Sequence, residues 1–125
     1  MVTSRRDLGD FGERVAAHRL EAAGMRVVAR NVRFGRIEVD FIAEDGDSLV
    51  FVEVRTRRGR EDWAAASVTP AKLRRMWQFA AGYCDANAIP LDRARIDLVA
   101  IDLDGDGTAR HVEHFRGLEV PEGLD

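Results

Sequence analysis

Two acids and a run of arginines carry the chemistry this sequence can be read for. Asp40 lies within Ile37-Glu38-Val39-Asp40-Phe41-Ile42 and Glu53 within Phe51-Val52-Glu53-Val54. Each is a carboxylate inside an apolar segment, and Arg55, Arg57 and Arg58 follow Glu53 at once. Converging carboxylates suit a hard divalent cation, Mg2+ or Mn2+. Mg2+ takes oxygen ligands and is usually held by one or two carboxylates, with water and substrate phosphate completing its shell. Such a cation activates water and neutralises charge on a phosphodiester under in-line attack. Arg57, Arg58 and Arg60 lie just past the acids, where a phosphate backbone would pass, and Arg33 and Arg36 could flank it. Contacts of that kind place nucleic acid without reading its sequence. The alternative is plainer: acids whose charge is offset by nearby arginines, and a solvated loop with surface ion pairs.

Whether the acids meet depends on a hairpin. Residues 37–44 and 48–55 read as strands joined around Asp45-Gly46, a strong hairpin signal. Glu44 then faces Asp47, Ile42 faces Leu49 and Asp40 faces Phe51. Paired residues share a face, as do residues two apart along a strand. Asp40, Phe51, Glu53 and Arg55 therefore project from one side, and Val39, Phe41, Val50, Val52 and Val54 from the other. Asp40 and Glu53 become diagonal neighbours, roughly 7–8 Å apart at Cα. A three-residue loop would send them to opposite faces.

The elements around the hairpin are legible from periodicity. Leu8, Phe11, Val15, Ala16, Leu20 and Ala23 recur at helical spacing and predict a helix over 8–24, stopped by Gly24. A short strand over 25–31 and a basic turn over 32–36 follow. After a loop at 59–69, Thr69 and Pro70 open a second helix as N-cap and first residue. Its apolar stripe is Leu73, Met76, Trp77, Ala80 and Cys84. Residues 94–103 predict a strand, 104–107 a turn and 109–115 an edge strand, with a frayed tail over 117–125. One mixed sheet between two helical layers is the economical arrangement, and 125 residues suit one domain.

The pattern Gly9-x-x-Gly12-Glu13-x-x-Ala16, then Arg30-Asn31, Glu38-Val39-Asp40-Phe41-Ile42-Ala43 and Phe51-Val52-Glu53-Val54, resembles the small bacterial YraN-like family. Val68, Lys72 and Arg95-Ile96-Asp97-Leu98-Val99 extend the resemblance. That family looks like the PD-(D/E)xK, restriction-endonuclease-like superfamily and like archaeal Holliday-junction resolvases. The resemblance implies an α/β three-layer αβα sandwich with an αβββαβ core. It also implies a metal-dependent DNA endonuclease, with branched or junction DNA suggested by the resolvases. Asp40 and Glu53 would be its metal ligands, Glu13 an auxiliary acid and Glu38 a supporting one. Resolvases and restriction enzymes commonly pair up, so a homodimer is an expectation by analogy.

One position departs from that pattern. The superfamily carries a lysine two residues after the Glu, whereas this chain has Arg55. A guanidinium does not act as a general base, yet its paired donors match phosphate oxygens. Lys72 is the single lysine among 19 basic residues and stands as a substitute cation or as chance. An altered nuclease site and a binding module without turnover both remain open.

Other features exclude more than they propose. Net charge is -3 with a pI near 5.6, unlike the basic balance of a general nucleic-acid binder, so any positive surface must be local. No apolar run is long enough to span a bilayer and no signal peptide is visible. Cys84, the one cysteine, fits a reducing cytoplasm. Asp102, Asp104, Asp106, Gly107 and Glu113 match the calcium-loop pattern. Strand-like flanks in place of helices argue against Ca2+ there. His111 and His114 should point to opposite faces, and Trp63 either covers an apolar edge or stacks on a base.

Overall fold

Apolar-rich segments over 26–34, 37–45, 48–58, 94–103 and 109–115 build a five-stranded sheet, and the two amphipathic segments cover it. The computed structural model describes residues 5–58 and 64–122. Helix α1 is Arg5–Ala22, followed by strands β1 Arg26–Phe34, β2 Ile37–Asp45 and β3 Ser48–Arg58. Helix α2 is Pro70–Ala86, then come β4 Ala94–Leu103 and β5 Ala109–Phe115, with short 3-10 turns at Ala65–Ser67 and Leu91–Arg93. The sheet order is β1-β2-β3-β4-β5. Every neighbouring pair is antiparallel except β3 and β4. Those two run parallel because the chain crosses the sheet through α2 between them.

The helices bury opposite faces. Ala16, Ala17 and Leu20 of α1 pack on Phe41, Ala43, Val50, Val52, Val99 and Ile101. Met76, Phe79, Ala80 and Cys84 of α2 pack on Ile42, Leu49, Phe51 and Ile96. The result is an α/β three-layer sandwich around a mixed sheet, in the expected αβββαβ order with β5 added at the edge. Two sequence details fix how the helices sit. A Cβ on Gly12 would run into the Thr56 hydroxyl, so α1 sits close on β3 at a residue that has no side chain. Thr69 caps α2, its hydroxyl accepting the Lys72 N–H at 3.1 Å, and Pro70 takes the first helical position; such caps are worth about 1 kcal/mol.

Four differences from the periodic reading matter. The β2–β3 turn is Gly46-Asp47 rather than Asp45-Gly46, so Asp45 pairs with Ser48 and Phe41 with Val52. Gly46 holds φ +58, a conformation glycine adopts without strain. β1 runs on to Phe34, so only Gly35-Arg36 is left as a turn. β3 runs on to Arg58, pairing with β4 as far as Leu103, which puts Arg57 and Arg58 on a strand. Finally, the segment after β5 does not fray at 117: Leu118 donates its N–H to Ile96 O at 2.8 Å, and Leu118 and Val120 pack against the α2 side.

Candidate active site

The acids meet where β2 parts from β3. Backbone pairing between these strands ends at Phe41 opposite Val52. One step further Asp40 comes opposite Glu53, not opposite Phe51. There a side chain replaces the missing backbone partner, Asp40 Oδ2 accepting the Val54 N–H at 2.7 Å. Face alternation breaks at the same point. Val39 and Ile42, three apart, both pack toward α2, while Phe41 packs toward α1. Val39 therefore does not share Phe41's face, because β2 has left the ladder that enforces period two. β1 matches the break: Ala29 and Val32 both pack toward α2, and Asn31 between them takes φ +51. A non-glycine residue in that left-handed region is uncommon and favours Asn.

Burial and like charge shape the pair. Glu53 is 5% exposed. Burial, then the charge of Glu53, push the Asp40 carboxyl up to about 7, against the Val54 N–H bond and the Lys72 charge. The Asp40 and Glu53 carboxyls lie within hydrogen-bonding reach of each other. Two cations lean on Glu53: Arg55 Nε lies 2.9 Å from Oε2 and Lys72 Nζ 3.7 Å from Oε1. The Arg55 Nε–H is buried without a directed hydrogen bond, so its contact is one of charge. Glu13 reaches in from α1. Burial raises its pKa, with Asp40, Asp10 and Glu38 adding to the rise, and a hydrogen bond from Asn31 opposes it.

A cavity of about 290 Å³ opens beside Asp40, lined by Gly9, Glu13, Asp40, Val54, Arg55, Thr56 and Arg57. Glu53 is not part of this lining. A larger groove, about 630 Å³, runs between α2 and the C-terminal segment along Trp77, Leu118 and Val120, away from the acids. Among the described residues, no group of three or more His, Cys, Asp or Glu is placed to hold a metal. What the strands bring together is a pair, with Glu13 beside Asp40. Its donor set nonetheless fits a hard cation. Two oxygen ligands forced together are what such an ion relieves, and water and phosphate ordinarily complete its shell.

The other anticipated residues divide. Arg57 lines the cavity. Arg33 pairs across the β1–β2 hairpin with Glu38 at 2.9 Å, and Arg36 is exposed in the turn. Arg58 instead ties β3 to the β4–β5 turn through Gly105 O, at 3.1 Å from Nε and 2.7 Å from Nη2. Arg60 and Trp63 lie outside the described residues. The calcium-like segment is strand, turn and strand. Its first acid, Asp102, is buried and accepts the Ala64 N–H at 2.7 Å, Asp106 accepts the Thr108 N–H at 2.9 Å, and Glu113 pairs with His111 at 3.1 Å. The backbone of Asp104 closes the turn, its N–H reaching Thr108 O at 2.8 Å.

One buried acid escaped the pattern reading as a structural centre. Asp97 is fully buried. It accepts from Arg95 at 2.9 and 3.0 Å, from the Gly117 N–H at 3.0 Å, and bonds His114 Nε2 at 2.7 Å. Arg95 reaches on to Asp45 at 2.9 Å. Burial works to raise the Asp97 pKa, but the bonds from Arg95, Gly117 and His114 outweigh it and hold the carboxyl below its ordinary range. The signal was present: a lone carboxylate inside the apolar run 96–101.

Fold and site together define an α/β protein with an acid pair at the point where two sheet strands diverge. Residues 12–101 match the model of the family described as "Uncharacterised protein family UPF0102". The chain belongs to that family, which bears out the YraN-like resemblance. A UPF0102 protein of Arthrobacter sp. (strain FB24) is 43% identical over 112 residues, 89% of this chain and 94% of the relative. One from Symbiobacterium thermophilum is 44% identical over 84% of this chain and 90% of its own length, and one from Streptomyces coelicolor 43% identical over 94% and 92%. Among solved structures, Pyrococcus furiosus SfsA in complex with Ca2+ overlaps at TM-score 0.44 and 16% identity, over 90% of this chain and 64% of that one. That overlap is too loose to carry a conclusion. Among the described residues no helix is long and apolar enough to cross a membrane.

Proposed function

We propose that this protein is a metal-dependent endonuclease of the PD-(D/E)xK kind acting on DNA, with branched or junction DNA as a substrate class to test. The observation that carries the reading is the convergence of Asp40 and Glu53, with Arg55 and Arg57 beside the cavity that Asp40 lines. Mg2+ or Mn2+, when bound, would supply charge neutralisation and a more acidic water. Asp40 and Glu53 would hold it. Arg55 and Arg57 would accept the phosphate through paired donors and stabilise its growing charge. In the step itself a water oxygen bonds to phosphorus and the bond to one ester oxygen breaks. The water loses a proton to solvent and the leaving oxygen gains one.

The test is cleavage of single-stranded, duplex and junction DNA with Mg2+ or Mn2+, run beside Asp40→Asn and Glu53→Gln. Wild type should cleave with metal, and each variant should fall by at least about a hundredfold. Equal nicking by all three proteins would trace the activity to a contaminant. A second reading, a nucleic-acid binding module that keeps the fold without turnover, is favoured by Arg55, which replaces the expected lysine. Metal-independent binding without cleavage would select it.

A further inference from the structure

Buried Glu53 and half-buried Asp40 face two cations of different kinds. Arg55 comes from β3 itself, two residues after Glu53. Lys72 comes from the other side, out of the first turn of α2, and its side chain is 20% exposed. One ammonium addresses both acids: Nζ is 3.7 Å from Glu53 Oε1, and its charge acts on Asp40. The position is unfavourable by helix electrostatics, since a helix N-terminus is the positive end of its dipole and disfavours cations. No acidic residue in that turn compensates. The Lys72 N–H is bound to the Thr69 cap at 3.1 Å, which fixes the point from which the side chain leaves. A chain that uses arginine at every other basic position keeps its one lysine here.

Shape separates the two groups. A guanidinium is a planar fork suited to gripping two phosphate oxygens. An ammonium is a compact point charge with three rotatable donors. Beside a buried carboxylate, the ammonium is the smaller of the two groups and can divide its three donors between the acid and a water molecule.

We propose that Lys72 is the compact cation of this site, reaching from α2 to hold the attacking water against Glu53 while Arg55 grips the phosphate. This rests on the nuclease reading above. The labour is divided between two elements because residue 55 is an arginine.

Lys72→Met and Lys72→Arg test it, with thermal melting to confirm that each folds. Two readouts are needed: single-turnover DNA cleavage with Mn2+, and Mn2+ affinity by calorimetry without DNA. Lys72→Met should cleave about a hundredfold more slowly. It should also bind Mn2+ roughly threefold or more tightly, because a competing positive charge has left Glu53. Lys72→Arg should return Mn2+ affinity toward wild type and restore cleavage only in part. Cleavage by Lys72→Met within about threefold of wild type would overturn the proposal. So would a loss of Mn2+ affinity alongside activity, which marks a merely structural anchor. If wild type cleaves nothing, the nuclease reading fails by itself. The Mn2+ titration then still decides whether Lys72 contests the acid pair: tighter binding by Lys72→Met upholds that part and unchanged binding overturns it.

Discussion

At the scale of single residues, Asp40 is the group whose state the fold alters most clearly. Its proton is held more tightly in the folded chain than in the unfolded one, about 7 against 3.8. The folded state therefore binds more protons in that window, and the metal-free protein should lose stability as pH rises from about 4 to about 7. Asp40→Asn keeps an acceptor for the Val54 N–H and removes the half-buried charge. It should melt above wild type at pH 8, by a margin on the order of a few kcal/mol, and show no such gain at pH 4. Added Mn2+ should raise the melting temperature of wild type and leave Asp40→Asn nearly unmoved, because only a ligand that binds the native state stabilises it. Scanning calorimetry at the two pH values, with and without metal, checks both outcomes.

Elements decide where those residues point. α1 brings Glu13 over the sheet only as closely as Gly12 allows, and Gly12 lies against Thr56. Gly12→Ala should destabilise by about 1–3 kcal/mol, the usual range for overpacking a filled contact. Adding Thr56→Ala removes the clashing hydroxyl and should recover much of the loss, a coupling that a double-mutant cycle in urea would measure. The same approach explains why helical periodicity located α1 yet could not fix how near it sits. Periodicity reports which face is buried, whereas separation is set by the one residue pair in closest contact.

Over the whole molecule, the Asp97 network ties together parts that are distant in sequence. Asp45 at the end of β2, Arg95 and Asp97 on β4, His114 on β5 and the Gly117 backbone are joined through charge-assisted bonds. Removing one partner of such a buried set typically costs about 3–5 kcal/mol, and Asp97→Asn should do so at pH 7. Because the Asp97 pKa is lowered on folding, its contribution is complete above about 3.8 and is lost as pH falls through the lower folded value. The gap between wild type and variant should therefore narrow in acid. Urea unfolding at pH 7 and pH 3 measures it. Faster hydrogen exchange at Gly117 and Leu118 in the variant would place the damage in the C-terminal segment.

What the sequence determined by itself was the order of elements, their faces and the identity of the acids. These rest on local periodicity, caps and turn chemistry, which Thr69-Pro70 and the apolar runs around Asp40 and Glu53 carry within a few residues. The hairpin parity was legible too, so both acids were assigned to one site although the turn lies one residue later than the Asp45-Gly46 signal predicts. Only the tertiary structure decided that the turn falls at Gly46-Asp47, which moves Asp40 on from Phe51 toward Glu53, and that β2 leaves β3 just beyond Phe41. It alone brought Lys72 to Glu53 from another layer, and joined β2, β4, β5 and the C-terminal segment through Asp97 and Arg95. The physical reason is common to all three. A strand's departure from its ladder, a reach between layers and a buried network are settled by contacts between residues far apart in the chain, and no local spacing records them.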